Sequence, residues 1–339
     1  MTRVTTLKDI ARELGLSPAT VSRALNDYPE VGRVTRERVR EAASRLGYAP
    51  NPIARRLVGG RSGLIGMVVP KAGDLSLDPS FIEIVAGLAE ELARREMDLV
   101  LHVDPRDEPL TTYERLLARN TLDGFIVSAP SRDDARLAFL RERGVPFVAH
   151  GPAGPGDDHY DIDNHAVGRL AVEHLVALGH RDIAFLNGPK RLAYAQDRVE
   201  GFRTALREAG ISERPDLLWH DMLAHATGER LAAQLLDGGD PPTAIICSST
   251  MIASGVYAAA EARGLAIGRD LSVVSHDDAP PHIRAEDFRP PLTVTEAPLT
   301  DACAPLAAMI ARRVAEPDAP AEGVTAPVRL IARDSTGRP

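Results

Sequence analysis

From Leu64 onward, apolar runs of strand length alternate with stretches whose apolar residues recur at helical spacing. LIGMVVP from Leu64 predicts a buried strand, and Phe81 to Arg95 a helix with Phe81, Ile84, Val85, Leu88 and Leu92 inward. DLVLHV from Asp98 is the next strand, a helix near Tyr113 to Arg119 leads into GFIVS at Gly124, and a helix from Arg132 to Arg143 precedes PFVAH. The pattern then starts again. A helix from His165 to Leu178, the strand DIAFLN, a helix from Arg198 to Ala209, a strand near Leu217 and a helix from Thr227 to Leu236 follow in turn. TAIICS, a helix from Ile252 to Arg263 and LSVVSHDD complete the second set. Strand and helix in alternation build a parallel sheet flanked by helices, and two such halves imply a cleft between them.

The first fifty residues are patterned differently. Thr6 is placed to cap a helix with Asp9 as its capping-box partner, with Ile10, Ala11 and Leu14 on the apolar face and Gly15 as the stop. Ser17 offers a second cap and Pro18 sits at the first helical position, where its missing N–H costs nothing, so a second helix runs to about Leu25. Val21, Ala24 and Leu25 face inward. Pro18, Ala19, Thr20, Ser22, Arg23 and Asn26 are left on the free side, small or polar groups suited to a major groove, with Arg23 the best candidate for a guanine edge. A third helix from Thr35 to Leu46, with Val39, Ala42 and Ala43 inward and Gly47 as its stop, makes a small self-contained head. The competing reading of the two short helices is a hairpin within some larger helical domain.

Charge sharpens the contrast between the parts. Residues 1–60 carry eleven Lys and Arg against six Asp and Glu, whereas the other 279 carry 29 against 42, giving −8 for the whole chain of 339. A basic head on an acidic body draws phosphates to one end. The two cysteines, Cys247 and Cys303, lie far apart without metal-ligand spacing, which fits a reducing compartment. With no leader in front of the head and no apolar run of membrane length, the expectation is a soluble cytoplasmic protein without a membrane partner.

LKDIARELGLSPATVSRALN, then TRERV, then LGYAPNPIARRL resembles, in order and spacing, the lactose-repressor (LacI/GalR) family of bacterial transcription regulators. The resemblance implies a domain plan: a helix-turn-helix head at 1–50, a hinge helix and linker at 51–61, and a ligand-binding and dimerisation domain at 62–339. It also implies DNA contacts from Thr6, Ser17 and the free face of the second helix. In the hinge, Asn51 and Ala54 are expected at the minor groove, and Leu57 stands where the family inserts an apolar wedge between base pairs. Without DNA the same segment reads as an ordinary linker.

The body resembles the family's periplasmic-binding-protein-like domain, on DIDNHAVGRLAVEHLVALGHRDIAFLNG, RVEGF, GRDLSVVSHDD and ARDST. The fold class expected is thus an all-α head plus an α/β domain of two subdomains, the first at about 62–162 and 292–322, the second at about 163–291 and 323–339. The resemblance places effector contacts at Ser80, Phe81, Ser128, His150, Tyr194, Arg198, Leu223, Ser249 and Asp277. An arginine fork and a carboxylate suit the hydroxyls of a sugar. Two departures bear on the ligand: Ser249-Thr250 replaces the usual Asn-Asp, and Leu223 stands where many members stack an aromatic, leaving Phe81 or Tyr194 for that role. The wording PFVAHG, AFLNG, CSST and SVVSHDD is similar to the branch that governs uptake of α-glucosides and related disaccharides.

The expected function is a ligand-responsive repressor of a carbohydrate operon, a homodimer on a pseudo-palindromic operator, released by a sugar. Without a leucine heptad tail after ARDST, dimers are expected over tetramers. Two alternatives stay open: a nucleobase-responsive regulator of the same family, and a sugar-binding protein that does not bind DNA. Neither cofactor, metal nor catalysis is expected. His150, His159, Asp161 and Asp163 lack HxxxH spacing and read as polar loop residues, GPAGPGDD at Gly151 reads as a flexible loop, and no GxSxG elbow occurs. Asp277 and Asp278 are neighbours on a strand and point to opposite faces, so they cannot flank one glycosidic bond.

Overall fold

In the head, short helices hold their ends through side chains. Helix α1 (Leu7–Leu14) begins at Thr6, whose N–H and Oγ1 both donate to the Asp9 carboxylate, at 3.0 and 2.7 Å. Gly15 ends it in the left-handed region at φ 67°. Helix α2 (Pro18–Leu25) is capped by Ser17, whose Oγ accepts from the Thr20 N–H at 3.0 Å. Helix α3 (Arg33–Arg45) starts two residues before the expected Thr35, because the Gly32 carbonyl takes the Thr35 and Arg36 amides. Ile10, Val21, Ala24 and Val39 close the core with no solvent exposure. The computed structural model describes residues 5–25, 28–48, 61–69, 79–104 and 108–339, with backbone only at 79 and 80. Asn26, Asn51, Ala54, Leu57 and the side chain of Ser80 lie outside the described residues. Two compact units result, one up to Ser62 and one from Gly63 to Pro339.

The second unit holds two six-stranded sheets. Strands β1 (Leu64–Val69), β2 (Asp98–Val103), β3 (Gly124–Ser128), β4 (Phe147–His150), β5 (His159–Ile162) and β11 (Gly323–Ala326) make the first, in the order β11-β5-β4-β3-β1-β2 and parallel throughout. The second contains β6 (Ile183–Asn187), β7 (Leu218–His220), β8 (Ala244–Cys247), β9 (Ser272–Asp277), β10 (Thr293–Glu296) and β12 (Arg329–Ile331), ordered β12-β10-β9-β8-β6-β7. Only β12, against β10, runs antiparallel. Helices α4 (Pro79–Ala93), α5 (Pro109–Arg119), α6 (Ala135–Glu142) and α11 (Cys303–Ala315) accompany the first sheet; α7 (Asn164–Leu178), α8 (Ala193–Glu208), α9 (His225–Leu236) and α10 (Thr250–Glu261) the second. The apolar run Ala244–Cys247 becomes a strand buried on both faces, and Ser272–Asp277 is buried along its whole length although it carries Ser275, His276 and Asp277.

Several sequence expectations need correction. The chain crosses between lobes after Glu296 and after Ala326, not at 291/292 and 322/323, because β10 pairs with β9 and β11 with β5. His159 and Asp161 are on strand β5 rather than in a loop. Helix α8 starts at Ala193, five residues before the expected Arg198, so Tyr194 and Arg198 share one helix. The GPAGPGDD segment is anchored: Asp157 takes the Arg141 guanidinium, and Asp158 takes Arg312 at 2.8 Å and Arg313 at 2.6 Å from α11.

The site depends on how closely α7 and α8 pack. A Cβ at Gly168 would sit 2.0 Å from the Arg198 carbonyl oxygen, and one at Gly201 would sit 1.9 Å from that of His165. No other residue permits that backbone approach.

Candidate functional site

On the head, Val21 and Ala24 are buried, and Ser17, Pro18, Ala19 and Arg23 are exposed beside half-buried Thr20 and Ser22. The Ser17 and Thr20 hydroxyls bond each other at 2.8 Å, which orders the entry to α2 before any partner arrives. Thr6 is exposed and committed to Asp9.

In the body, the C-terminal ends of β4, β5, β8 and β9 bring polar groups from both lobes together, as expected for an open α/β sheet. Arg198 on α8 is the centre. It is 5% exposed, and its guanidinium stacks over the Tyr194 ring at 4.9 Å. Nε donates to Asn164 Oδ1 at 2.9 Å, and Nη1 donates to the Ser248 carbonyl at 2.8 Å and its Oγ at 3.3 Å. Nη2 has no hydrogen-bond acceptor among the described residues. A second layer fixes the first: Ser248 Oγ donates to Asn187 Oδ1 at 2.6 Å, and Asn187 Nδ2 to the Ala195 carbonyl at 2.7 Å. Asn164 Nδ2 reaches back to Asp161 Oδ1 at 3.1 Å on the other lobe. Burial disfavours the Arg198 cation, and Asp278 and Asp161 offset that cost.

The carboxylate with the largest electrostatic pull on Arg198 is Asp278. Its Oδ1 lies 3.2 Å from His276 Nε2. Burial would raise Asp278, but His276 and Arg198 outweigh it and hold the carboxyl below its ordinary range. The expected ligand aspartate, Asp277, accepts from the Ala279 N–H at 2.8 Å; burial first, and then Asp278, Glu296 and Glu286, push its carboxyl up to about 6. The cause is local: Asp277 is the last residue of β9, and Ala279 then turns at φ 55°.

From the first lobe, His150 ends β4 within the field of Asp278. Burial pushes its imidazole down to about 4, so the ring is neutral, and Nδ1 has no partner. Asp161 is pushed up to about 6, first by burial and then by Asp197. Ser128 ends β3, and its carbonyl accepts from Arg136 at 3.3 Å. Ser249 caps α10, its Oγ accepting from the Ile252 N–H at 3.3 Å, which leaves its own proton to donate. Phe81 packs on the first lobe's core and Leu223 on the second's.

The structure thus gathers Arg198, Tyr194 and His150, all named from the sequence, with Asp278, His276, Asn164, Ser248 and Asn187, which are not among the expected contacts. The one available signal was the DD pair itself. The Asn and Ser residues carry no motif and are recognisable only through their bonds to Arg198. Among the described residues, no group of three His, Cys, Asp or Glu could hold a metal, and no helix is long and apolar enough to span a membrane.

A helix-turn-helix head on a two-lobed receptor with a polar cleft is a DNA-binding regulator governed by a small molecule. Residues 6–51 match the model of bacterial regulatory proteins of the lacI family, and residues 172–336 that of a periplasmic binding protein-like domain. The chain is 39% identical to the HTH-type transcriptional regulator AglR of Rhizobium meliloti (strain 1021), over 98% of this chain and 94% of that one. It is 36% identical to RafR of Escherichia coli over 81% of this chain and 82% of that one. Among solved structures, the lac repressor dimer bound to operator and the anti-inducer ONPF aligns over 99% of this chain and 100% of that one, with TM-score 0.84 and 28% identity. A transcriptional regulator CelR–cellobiose complex aligns over 98% and 99%, with TM-score 0.72 and 27% identity. The chain belongs to the lacI family of bacterial transcription regulators and is a helix-turn-helix DNA-binding protein.

Proposed function

We propose that this regulator is a homodimeric repressor of a carbohydrate uptake or catabolism operon, released from a pseudo-palindromic operator when a sugar closes its cleft. The observation that carries the reading is the mixture of unsatisfied groups around Arg198. Its free Nη2 is a donor, Asp278 an ionised acceptor, and the neutral His150 ring offers a buried nitrogen with no partner. A polyhydroxylated ligand donates and accepts at every carbon, so it satisfies such a set. A nucleobase would need a ring face, and here the Tyr194 ring is already covered by the arginine. The structural neighbour bound to cellobiose supports the same class.

Arg198, Asp278, His150 and Ser249 are the proposed effector contacts, with Tyr194 supporting the arginine; Ser128 and Phe81 sit on the first-lobe side. Arg23, with Ser17, Pro18, Ala19, Thr20 and Ser22, faces the operator, and the hinge residues Asn51, Ala54 and Leu57 enter the minor groove. The protein acts in the cytoplasm and catalyses no reaction. The test is a mobility-shift series on DNA upstream of neighbouring genes, with cellobiose, maltose, sucrose, melibiose and hypoxanthine in turn. One disaccharide is expected to release the DNA. Release by hypoxanthine alone, or DNA binding that no sugar alters, would overturn the sugar assignment. Leu57→Ala is expected to weaken operator binding far more than binding to random duplex.

A further inference from the structure

The helix that carries Arg198 begins without a cap of its own. Leu192 precedes α8 and provides no side-chain acceptor, so the first amides of the helix need partners from elsewhere. One comes from the opposite lobe: the Ala193 N–H donates to the Pro130 carbonyl at 3.1 Å. Two residues further along the same first-lobe segment, Arg132 reaches over α8 and pairs with both Asp197 and Glu200, the latter at 3.0 Å. One short stretch thus grips α8 at its positive end and along its acidic flank.

That stretch is held rigid from behind. Arg136 donates to the Asp134 carboxylate through Nε at 2.9 Å and Nη2 at 2.8 Å, and to the Ser128 and Ala129 carbonyls at 3.3 Å each. The Ser131 N–H donates to Asp134 at 2.9 Å. Ala129 sits at φ 47°, a left-handed conformation that costs a non-glycine residue and persists only where neighbours enforce it. Pro130 lies so close to Gly151 that a Cβ there would come within 2.6 Å of its ring. The bracket is therefore preformed, and α8 docks onto it.

We infer that Ala129–Arg132 is an interlobe latch and that Arg132 is a positioning residue, setting how far the lobes stand apart before ligand arrives and how α8 presents Arg198. Arg132 is 47% exposed and Glu200 59%, so the pairs are screened and individually weak. Weakness suits a latch, because it lets binding at Arg198, one residue from Asp197, shift the balance between lobe positions. The inference rests on the reading of Arg198 as the ligand arginine, but its test needs neither ligand nor DNA, so a failed sugar screen and a failed latch are told apart.

The test is amide hydrogen exchange of the full-length protein across residues 190–200, with β6 and β8 as the folding control. Arg132→Glu places like charges against Asp197 and Glu200 and is expected to speed exchange at Ala193 by on the order of tenfold, with the two strands unchanged. Adding Glu200→Arg supplies the opposite charge and is expected to restore exchange to within about threefold of the parent. The latch is overturned if Arg132→Glu leaves Ala193 unchanged, if exchange rises equally in β6 and β8, or if Glu200→Arg restores nothing.

Discussion

Replacing Asp278 and Asp277 separately by asparagine tests which of the two neighbours accepts from the effector. Asp278 lies 3.2 Å from His276 and within the field of Arg198, and if it accepts from a ligand hydroxyl as proposed, that bond from an ionised acceptor contributes about 1.5–3 kcal/mol. Since each ~1.4 kcal/mol is tenfold, Asp278→Asn should weaken sugar binding by roughly ten- to a hundredfold. Asp277 is committed to the Ala279 N–H, a bond asparagine can keep, so Asp277→Asn should change affinity by no more than about threefold. Stability moves the other way for Asp277. Its carboxyl is raised to about 6, so ionising it at neutral pH costs the folded state free energy, and asparagine should be neutral or stabilising by ~1–2 kcal/mol. Titration calorimetry with the disaccharide that releases DNA, plus urea unfolding of both variants, reads both quantities. Loss of binding in Asp277→Asn with Asp278→Asn unaffected would refute the assignment.

Arg198→Ala removes the fork and leaves the Asn164 and Ser248 acceptors without their donor, and should abolish ligand response while operator affinity without ligand stays within about threefold. His150 is held neutral with its pKa down to about 4, below the unfolded value, so its contribution to stability is present above the unfolded pKa and is lost as pH falls toward 4. His150→Gln should therefore gain ~1–2 kcal/mol on the parent between pH 7.5 and 5 in urea unfolding; a constant difference across that range would contradict the burial argument. Gly168→Ala should push α7 from α8 and cost about 1–3 kcal/mol in melting experiments. In the head, Ser17→Ala should cost ~1 kcal/mol by removing the cap on α2, read as faster amide exchange at Thr20 and Val21 in the protein without DNA.

Most elements were legible because their apolar spacing is strong. Strands such as Leu64–Val69 and Ala244–Cys247 are apolar runs, and Thr6, Asp9 and Ser17 do the capping their positions predict. Where sequence failed, the competing force is identifiable. HYDI gives strand β5 no apolar run, since three of its four residues stay only half-buried between β11 and β4. The first turn of α8 contains AYAQD with little periodicity, and its start is set by a carbonyl from the other lobe, which no local window contains. The lobe crossings at Glu296 and Ala326 depend on which strands pair. Asp277 is named by resemblance, and the turn of the backbone at Ala279, which sets the surroundings of Asp278, leaves no signal in the local sequence. The anchoring of Asp158 by Arg312 and Arg313 joins residues some 155 apart.

In the proposed mechanism the cleft around Arg198 governs the head's hold on DNA. Fluorescence anisotropy of a labelled upstream fragment, titrated with the active disaccharide for parent and Arg198→Ala, tests it most directly. The account predicts that sugar weakens operator binding by the parent at least tenfold, typical of coupling between two sites, and leaves the variant bound. Release of both proteins at the same sugar concentration would contradict it.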